Sequence, residues 1–262
     1  MIDQGQGVIT FQRVRPALGT LVAVEAGAPD DKVAQRALAA AFDAVDQVAR
    51  LMHPVAVGSD AQQIACAALN RPLTIHPWTW QVLRLARELH TATQGLFDPC
   101  LAHAAGRMTA LELGDDHTVI CRAPAALDLG GIAKGFAVDR AVDALQAHGC
   151  RNGVVNAGGD LRVFGDLPQS VLLRTAAGSV APLQLVNAAL AVSAPRCETS
   201  PREHRGFYRG TTGESIEGRW VAVTAAEAAI ADGLTKCALV CPAPMLESIL
   251  ESYGARLVNV VA

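Results

Sequence analysis

Residues 126–135 read Ala126-Leu127-Asp128-Leu129-Gly130-Gly131-Ile132-Ala133-Lys134-Gly135. A short strand over 125–128 is predicted to deliver Asp128 to a Gly-Gly turn. A helix is then expected from about Gly131 to His148, closed by Gly149. Its periodicity places Val138, Val142 and Leu145 inward and Asp139, Asp143 and Gln146 toward water. The N-terminus of such a helix presents free N–H groups and a partial positive charge, which suits a phosphate or diphosphate. Glycines at the turn let the backbone approach closely, and Lys134 adds a full charge. The spacing G-G-x-x-x-G is not the dinucleotide fingerprint, and Phe136 stands where a Walker loop needs its lysine. From these residues alone, a phosphate site and a plain turn capped by Asp128 stand level. A carboxylate beside a diphosphate repels it, so in the first case Asp128 faces a metal, a ribose hydroxyl or a ring N–H.

Outward from this turn, helices come in clusters and strands in hairpins. Residues 8–26 predict two strands around Arg15-Pro16-Ala17-Leu18-Gly19-Thr20. Pro29-Asp30-Asp31 opens a helix whose apolar positions, Ala34, Leu38, Ala41, Val45, Val48 and Met52, recur at helical spacing before His53-Pro54 stops it. A second helix starts at Pro77, with Trp78, Val82, Leu85 and Leu89 as its inner stripe and Gly95 at its close. The two tryptophans there are read as core. Strands are expected near 117–122, 153–156 and 161–165, then as a meander over 170–175, 182–187 and 189–193. Residues 195–218 have no period. The strand Arg219–Ala225 leads to a helix near Ala226, another at 244–252 and a last strand, Arg256–Val261. Regular strand–helix–strand alternation is absent, which predicts an α+β fold with helices packed on antiparallel or mixed sheets.

Two further motifs carry polar groups that need a partner. Val155-Asn156-Ala157-Gly158-Gly159-Asp160 is a second strand running into Gly-Gly and an acid, and a β-bulge is the plainer reading. In Ala231-Asp232-Gly233-Leu234-Thr235-Lys236-Cys237-Ala238, Asp232 sits among small apolar residues on a predicted helix, where burial is costly without a partner. Thr235 lies one turn on, and a carboxylate with a hydroxyl at that spacing suits a hard cation such as Mg²⁺. An exposed Asp–Lys helix pair is the alternative.

The chain of 262 residues is long enough to bury a full core and carries a net charge of −3 with 4% aromatics. That composition excludes disorder, coiled coil and a nucleic-acid-binding surface. No apolar run is long enough to span a membrane. The start, Met1–Thr10, has no basic residue or apolar core of a leader, so a cytoplasmic location is expected as written, and a periplasmic one if a leader was removed. The seven cysteines, Cys66, Cys100, Cys121, Cys150, Cys197, Cys237 and Cys241, are scattered and odd in number, which predicts reduced thiols rather than disulfides or zinc. Only three of the 22 basic residues are lysines, Lys32, Lys134 and Lys236, and two of these fall in the motifs above.

At these motifs the chain resembles the ApbE family, the FAD:protein FMN transferases. The likeness runs from about residue 11 to the C-terminus. It rests on Asp128–Ala141 and Asn156–Gly165, with weaker matches at Ala17–Thr20, Gly95–Pro99 and Ala231–Lys236. It implies one ApbE-like domain over 8–262, with two intertwined subdomains as a variant. It implies a Mg²⁺-dependent reaction in which FAD is split and FMN is esterified to a Thr or Ser of a target flavoprotein, releasing AMP. Carried over by position, the nucleotide contacts fall on Leu18, Leu96, Phe97, Asp98, Asp128 and Lys134, and the metal on Gly131, Asp232 and Thr235. Lys236 stands where relatives have a Thr ligand. An ammonium cannot ligate a cation, so either the metal loses a ligand or Lys236 contacts a phosphate. The family's His-containing segment aligns with Arg205–Gly213, which has no His; His204 is the near neighbour. Asp232, Lys134 and His204 are therefore the expected catalytic residues, with Asp128 and Asp160 as further candidates for the base. A polar aromatic usual in the family is replaced near Val55. The alternatives are an FAD diphosphatase and a catalytically weak FAD-binding paralogue.

Overall fold

The computed structural model describes residues 9–100, 106–174, 180–194, 216 and 219–258. The chain opens with β1 (Ile9–Ala17) and β2 (Thr20–Ala28), paired antiparallel through the turn at Leu18 and Gly19. Both turn residues have positive φ, 53° and 70°, as two-residue hairpins that match strand twist require. Helix α1 (Asp31–Met52) follows. Its N-cap Asp30 accepts from the Val33 N–H at 2.8 Å, and all six apolar positions expected to face inward are buried. After α2 (Asp60–Ala65) and β3 (Pro72–Thr74) comes α3 (Pro77–Ala92), capped by the His76 ring and started by Pro77. Trp78 and Trp80 are half-buried against the core. Trp78 meets Phe136 edge-on, and the Trp80 indole donates to the Gly114 carbonyl at 2.7 Å.

A single 3₁₀ turn at Met108–Ala110 precedes β4 (Leu111–Leu113) and β5 (Thr118–Cys121), which complete a small sheet in the order β3-β5-β4. The expected strand over 125–128 does not form. Residues 123–129 are irregular, and the Asp128 N–H goes to the Pro99 carbonyl at 2.9 Å instead of to a strand neighbour. Helix α4 (Ala133–Ala147) begins two residues later than expected. Next come β6 (Asn152–Ala157), β7 (Asp160–Phe164), β8 (Gln169–Arg174), β9 (Val180–Leu185), β10 (Ala188–Ser193), β11 (Val221–Ala225), α5 (Ala228–Val240), α6 (Ala243–Ser252) and β12 (Arg256–Leu257). The turn at Gly158 and Gly159 is a two-residue hairpin rather than a bulge, with φ of 65° and 107°.

The main sheet has seven strands in the order β1-β2-β6-β7-β10-β11-β12, and every pairing is antiparallel. Helices α1, α4 and α5 pack on one face, and α4 lies between the other two. The fold is therefore α+β, as expected. The main core runs from Val22 and Val24 through α1 and α4 to Leu111 and Val119 of the small sheet. A second cluster, including Leu161, Val163, Leu173 and Leu185, lies under the β8–β9 hairpin. Among the described residues no helix is long and apolar enough to cross a membrane.

One reading of α4 fails. Asp139 is 1% exposed, not water-facing, although Asp143 and Gln146 are exposed. Its carboxylate accepts from the Ala228 and Ala229 N–H groups at 2.9 and 2.8 Å and from Arg162 at 2.9 Å. Those two amides open α5, whose own N-cap Glu227 makes no side-chain bond. Asp139 thus caps a helix from outside it.

Candidate functional site

The register fixes where the site lies. Val22 pairs with Ala157, so the Leu18–Gly19 and Gly158–Gly159 turns share one end of the sheet. Leu190 pairs with Leu161 and Ser193 with Val221, which brings the end of β10 to the same edge. The N-terminus of α4 and the middle of α5 lie over that end.

Here the three polar motifs meet. The Lys134 ammonium on α4 contacts a carboxylate oxygen, Oδ2, of Asp160 and lies 3.6 Å from Oδ2 of Asp232. The Gly135 N–H donates to that same Asp232 oxygen at 3.1 Å. The other Asp232 oxygen, Oδ1, accepts from the Lys236 ammonium, which also donates to the Thr235 hydroxyl at 3.1 Å. Thr235 in turn donates to the Asp232 carbonyl at 2.7 Å and lies 2.7 Å from the Ser193 hydroxyl. Asp160, Asp232, Thr235 and Lys236 are all buried, and Lys134 is half-buried.

Two lysines face two aspartates, so the cluster closes as a neutral unit. Burial works against the Lys134 charge, but Asp232 and Asp160 outweigh it and hold the ammonium above its ordinary pKa. Burial, and then the Asp232 charge, push the Asp160 carboxyl up against the pull of both lysines. One acceptor is left over: Asp160 Oδ1 is buried and has no hydrogen-bond partner among the described residues. An orphaned buried oxygen is costly in a native site and calls for a donor at that atom.

The packing of α4 on α5 makes this geometry possible. A Cβ on Gly135 would lie 2.2 Å from the Ala228 carbonyl oxygen, so only glycine lets the helices come this close. The α4 N-terminus, expected to take a phosphate, has Asp232 on its third amide.

The other expected residues divide. Asp128 Oδ1 accepts from the Gly130 N–H at 2.9 Å, so it ties the turn and is not the helix N-cap. Leu18 keeps its left-handed backbone at the same sheet end as the cluster. Phe97 and Asp98 are buried, and Asp98 accepts from the Cys100 and Met108 N–H groups at 2.8 and 3.2 Å. Leu96 packs against Ile216, Leu239 and Val240. Val55, near the position where the family resemblance implies an aromatic, is 71% exposed. His204 and Arg205–Gly213 lie outside the described residues, as does Cys197. Ser193 was not foreseen; nothing local to Ala191-Val192-Ser193 marks it, and only the β10 register brings it to Thr235.

The donor set does not fit a divalent cation with Lys236 where it stands. Both oxygens of Asp232 are engaged, Oδ1 by the Lys236 ammonium and Oδ2 by the Gly135 N–H, and an ammonium cannot itself ligate a cation. Among the described residues no group of three or more His, Cys, Asp or Glu side chains is placed to hold a metal.

The fold and this cluster define a class: α+β proteins in which the start of one helix, the middle of a second and the strand after a tight hairpin hold a buried Asp–Lys set. Residues 18–107 and 102–258 match the ApbE family, and the chain belongs to it. An FAD:protein FMN transferase of Rhodobacter capsulatus is 32% identical over 176 residues, which span 56% of this chain and 34% of that protein. The chain thus matches about a third of the length of that curated relative. The flavin transferase ApbE of Vibrio cholerae superposes with a TM-score of 0.78 at 19% identity, covering 96% of this chain and 93% of the other. The flavinyl transferase ApbE of Pseudomonas stutzeri, in its apo form, gives 0.77 at 17% identity, covering 98% and 92%. The Thermotoga maritima ApbE protein gives 0.76 at 20%, covering 95% and 93%. At these identities the structures establish the shared fold.

Proposed function

We propose that this protein is an FAD:protein FMN transferase, with residues 8–262 acting as one domain. The carrying observation is that Lys134, Asp160, Asp232 and Lys236, from three separate motifs, meet at one end of the sheet in a chain that belongs to the ApbE family. In the reaction, a Thr or Ser hydroxyl of a target flavoprotein attacks the FMN-side phosphorus of FAD. The new P–O bond forms as the bond to the AMP phosphate breaks, and AMP leaves. Such a transfer needs alignment and charge neutralisation more than covalent help.

Lys134 supplies positive charge to the diphosphate from a position already biased toward the ammonium form. Lys236 has a third proton left after Asp232 and Thr235, and this proton serves a phosphate oxygen. The unpartnered Asp160 Oδ1 accepts the proton of the attacking hydroxyl, and its raised pKa suits that role. Among Asp128, Asp160 and His204, Asp160 is thereby the preferred base. Leu18 and Asp128 are proposed to flank the nucleotide, and Leu96, Phe97 and Asp98 to support it from behind. The Mg²⁺ ion expected on Gly131, Asp232 and Thr235 carries no step, because Lys236 occupies its place on Asp232.

The test is incubation with FAD and a candidate acceptor domain, reading acid-precipitable flavin and AMP together. Covalent flavin with matching AMP supports the transferase. AMP and free FMN without covalent flavin would make it a diphosphatase, and Asp232→Ala turning over normally would remove the cluster from the chemistry.

A further inference from the structure

We propose that Lys236 is a built-in cation that replaces a divalent metal, so that this chain binds and splits FAD without one. The inference rests on the flavin-transferase reading of the site but concerns the lysine itself. Four observations carry it. The ammonium takes one carboxylate oxygen of Asp232 and the Thr235 hydroxyl, the same hard oxygen donors that suit Mg²⁺. Thr235 is set to receive it: its own proton is committed to the Asp232 carbonyl, which leaves a lone pair turned to Lys236. Lys236 is 8% exposed, so its head is held in the site rather than in water. The pairing of Lys134 and Lys236 with Asp160 and Asp232 is already neutral, and among the described residues the Lys236 ammonium donates to Asp232 and Thr235 alone, which leaves one of its three protons for a phosphate.

The residue type fits the task. The chain has 22 basic residues and only three are lysines, yet two of those three stand here. An ammonium is a compact point charge with three donors, whereas a guanidinium is a planar fork shaped for bidentate contacts.

The experiment has two arms on the full chain. Mn²⁺ binding is followed by its EPR signal in wild type and in Lys236→Thr. FAD binding is followed by flavin fluorescence, with EDTA or with excess Mg²⁺. Wild type should bind FAD equally well in both conditions, and Mn²⁺ only weakly. Lys236→Thr should gain Mn²⁺ affinity by about tenfold or more, equivalent to roughly 1.4 kcal/mol, and should need metal for FAD. Wild type that binds FAD only with Mg²⁺, or binds Mn²⁺ as tightly as the variant, overturns the proposal while leaving the flavin reading intact. If no FAD binds in any condition, the flavin reading fails, and the Mn²⁺ arm still decides the role of Lys236. Should Lys236→Thr not fold, the wild-type comparison of EDTA with Mg²⁺ decides alone.

Discussion

Replacing Asp139 by Ala should destabilise the protein far more than its place in the periodicity suggests. The carboxylate serves two amides of α5 and one guanidinium, at 2.8–2.9 Å. Burial raises its pKa despite those donors, so its own desolvation cancels much of the attraction. The cost of removal therefore comes from what is stranded. Two buried N–H groups lose their acceptor, at about 1–3 kcal/mol each where water cannot replace it. Arg162 loses its ion partner while its Nε is already buried without one. Water entering the space left by the carboxylate offsets part of this, and breaking a buried pair at one end costs about 3–5 kcal/mol overall. For a domain of this size each kcal/mol moves the midpoint by about 2–4 °C, so Tm should fall by roughly 6–20 °C in a thermal melt followed by circular dichroism. Asp139→Asn keeps one acceptor and should fall between. Arg162→Met in the Asp139→Ala background should add little, because the pair is already broken. A fall of under about 2 °C for Asp139→Ala, or full additivity with Arg162→Met, would refute the reasoning.

The remaining predictions concern close approaches and thiols. Gly135→Ala gains up to about 1 kcal/mol of helix propensity but must push α4 off a backbone oxygen 2.2 Å from the new methyl. A net loss of about 1–3 kcal/mol, with weaker FAD cleavage, is expected, and an unchanged melt would show that the helices do not touch there. Gly159→Ala meets no atom within 4 Å and should cost only its left-handed strain, about 1–2 kcal/mol. Gly158→Ala also meets the Thr20 side chain at 2.5 Å and should be the worse of the pair, so a melt that reverses this order contradicts the hairpin. Burial pushes the Cys100 thiol up to about 12 and Cys241 up to about 11. Among the cysteines of the described residues, alkylation near neutral pH, mapped by mass spectrometry, should label exposed Cys66 first and reach Cys100 only on unfolding.

How far the fold could be read in advance depended on how local its signals were. Helix α1 announces itself through Asp30 and a clean apolar stripe, and the first hairpin through Leu18-Gly19, because capping and left-handed φ act within four residues, whereas Gly158-Gly159 read more plainly as a bulge because a Gly-Gly pair serves either turn. In the small sheet β5 answers to the strand expected near 117–122, while β3 and β4 escaped because three-residue strands are too short to show a period. The false strand at 125–128 is an apolar run without a neighbour to pair with, and apolarity alone does not separate a strand from a buried connection. Asp139 was misplaced for a deeper reason. The polar face of α4 is exposed only toward its C-terminal end, at Asp143 and Gln146, and the partners of Asp139 include amides about ninety residues away, which leave no mark in its own segment. The convergence of Lys134, Asp160 and Asp232 was foreseeable because each charge was costly alone, so each needed another. What could not be foreseen is that the same exchange also builds the frame. Asp232 of α5 sits on the third amide of α4, while Asp139 of α4 sits on the first two of α5, with Gly135 between them letting the backbones touch. Each helix thus caps the other. The carboxylate that meets Lys134 and Lys236 is also a structural cap, so the position of the charge cluster and the docking of the two helices are set by one geometry and cannot be altered separately.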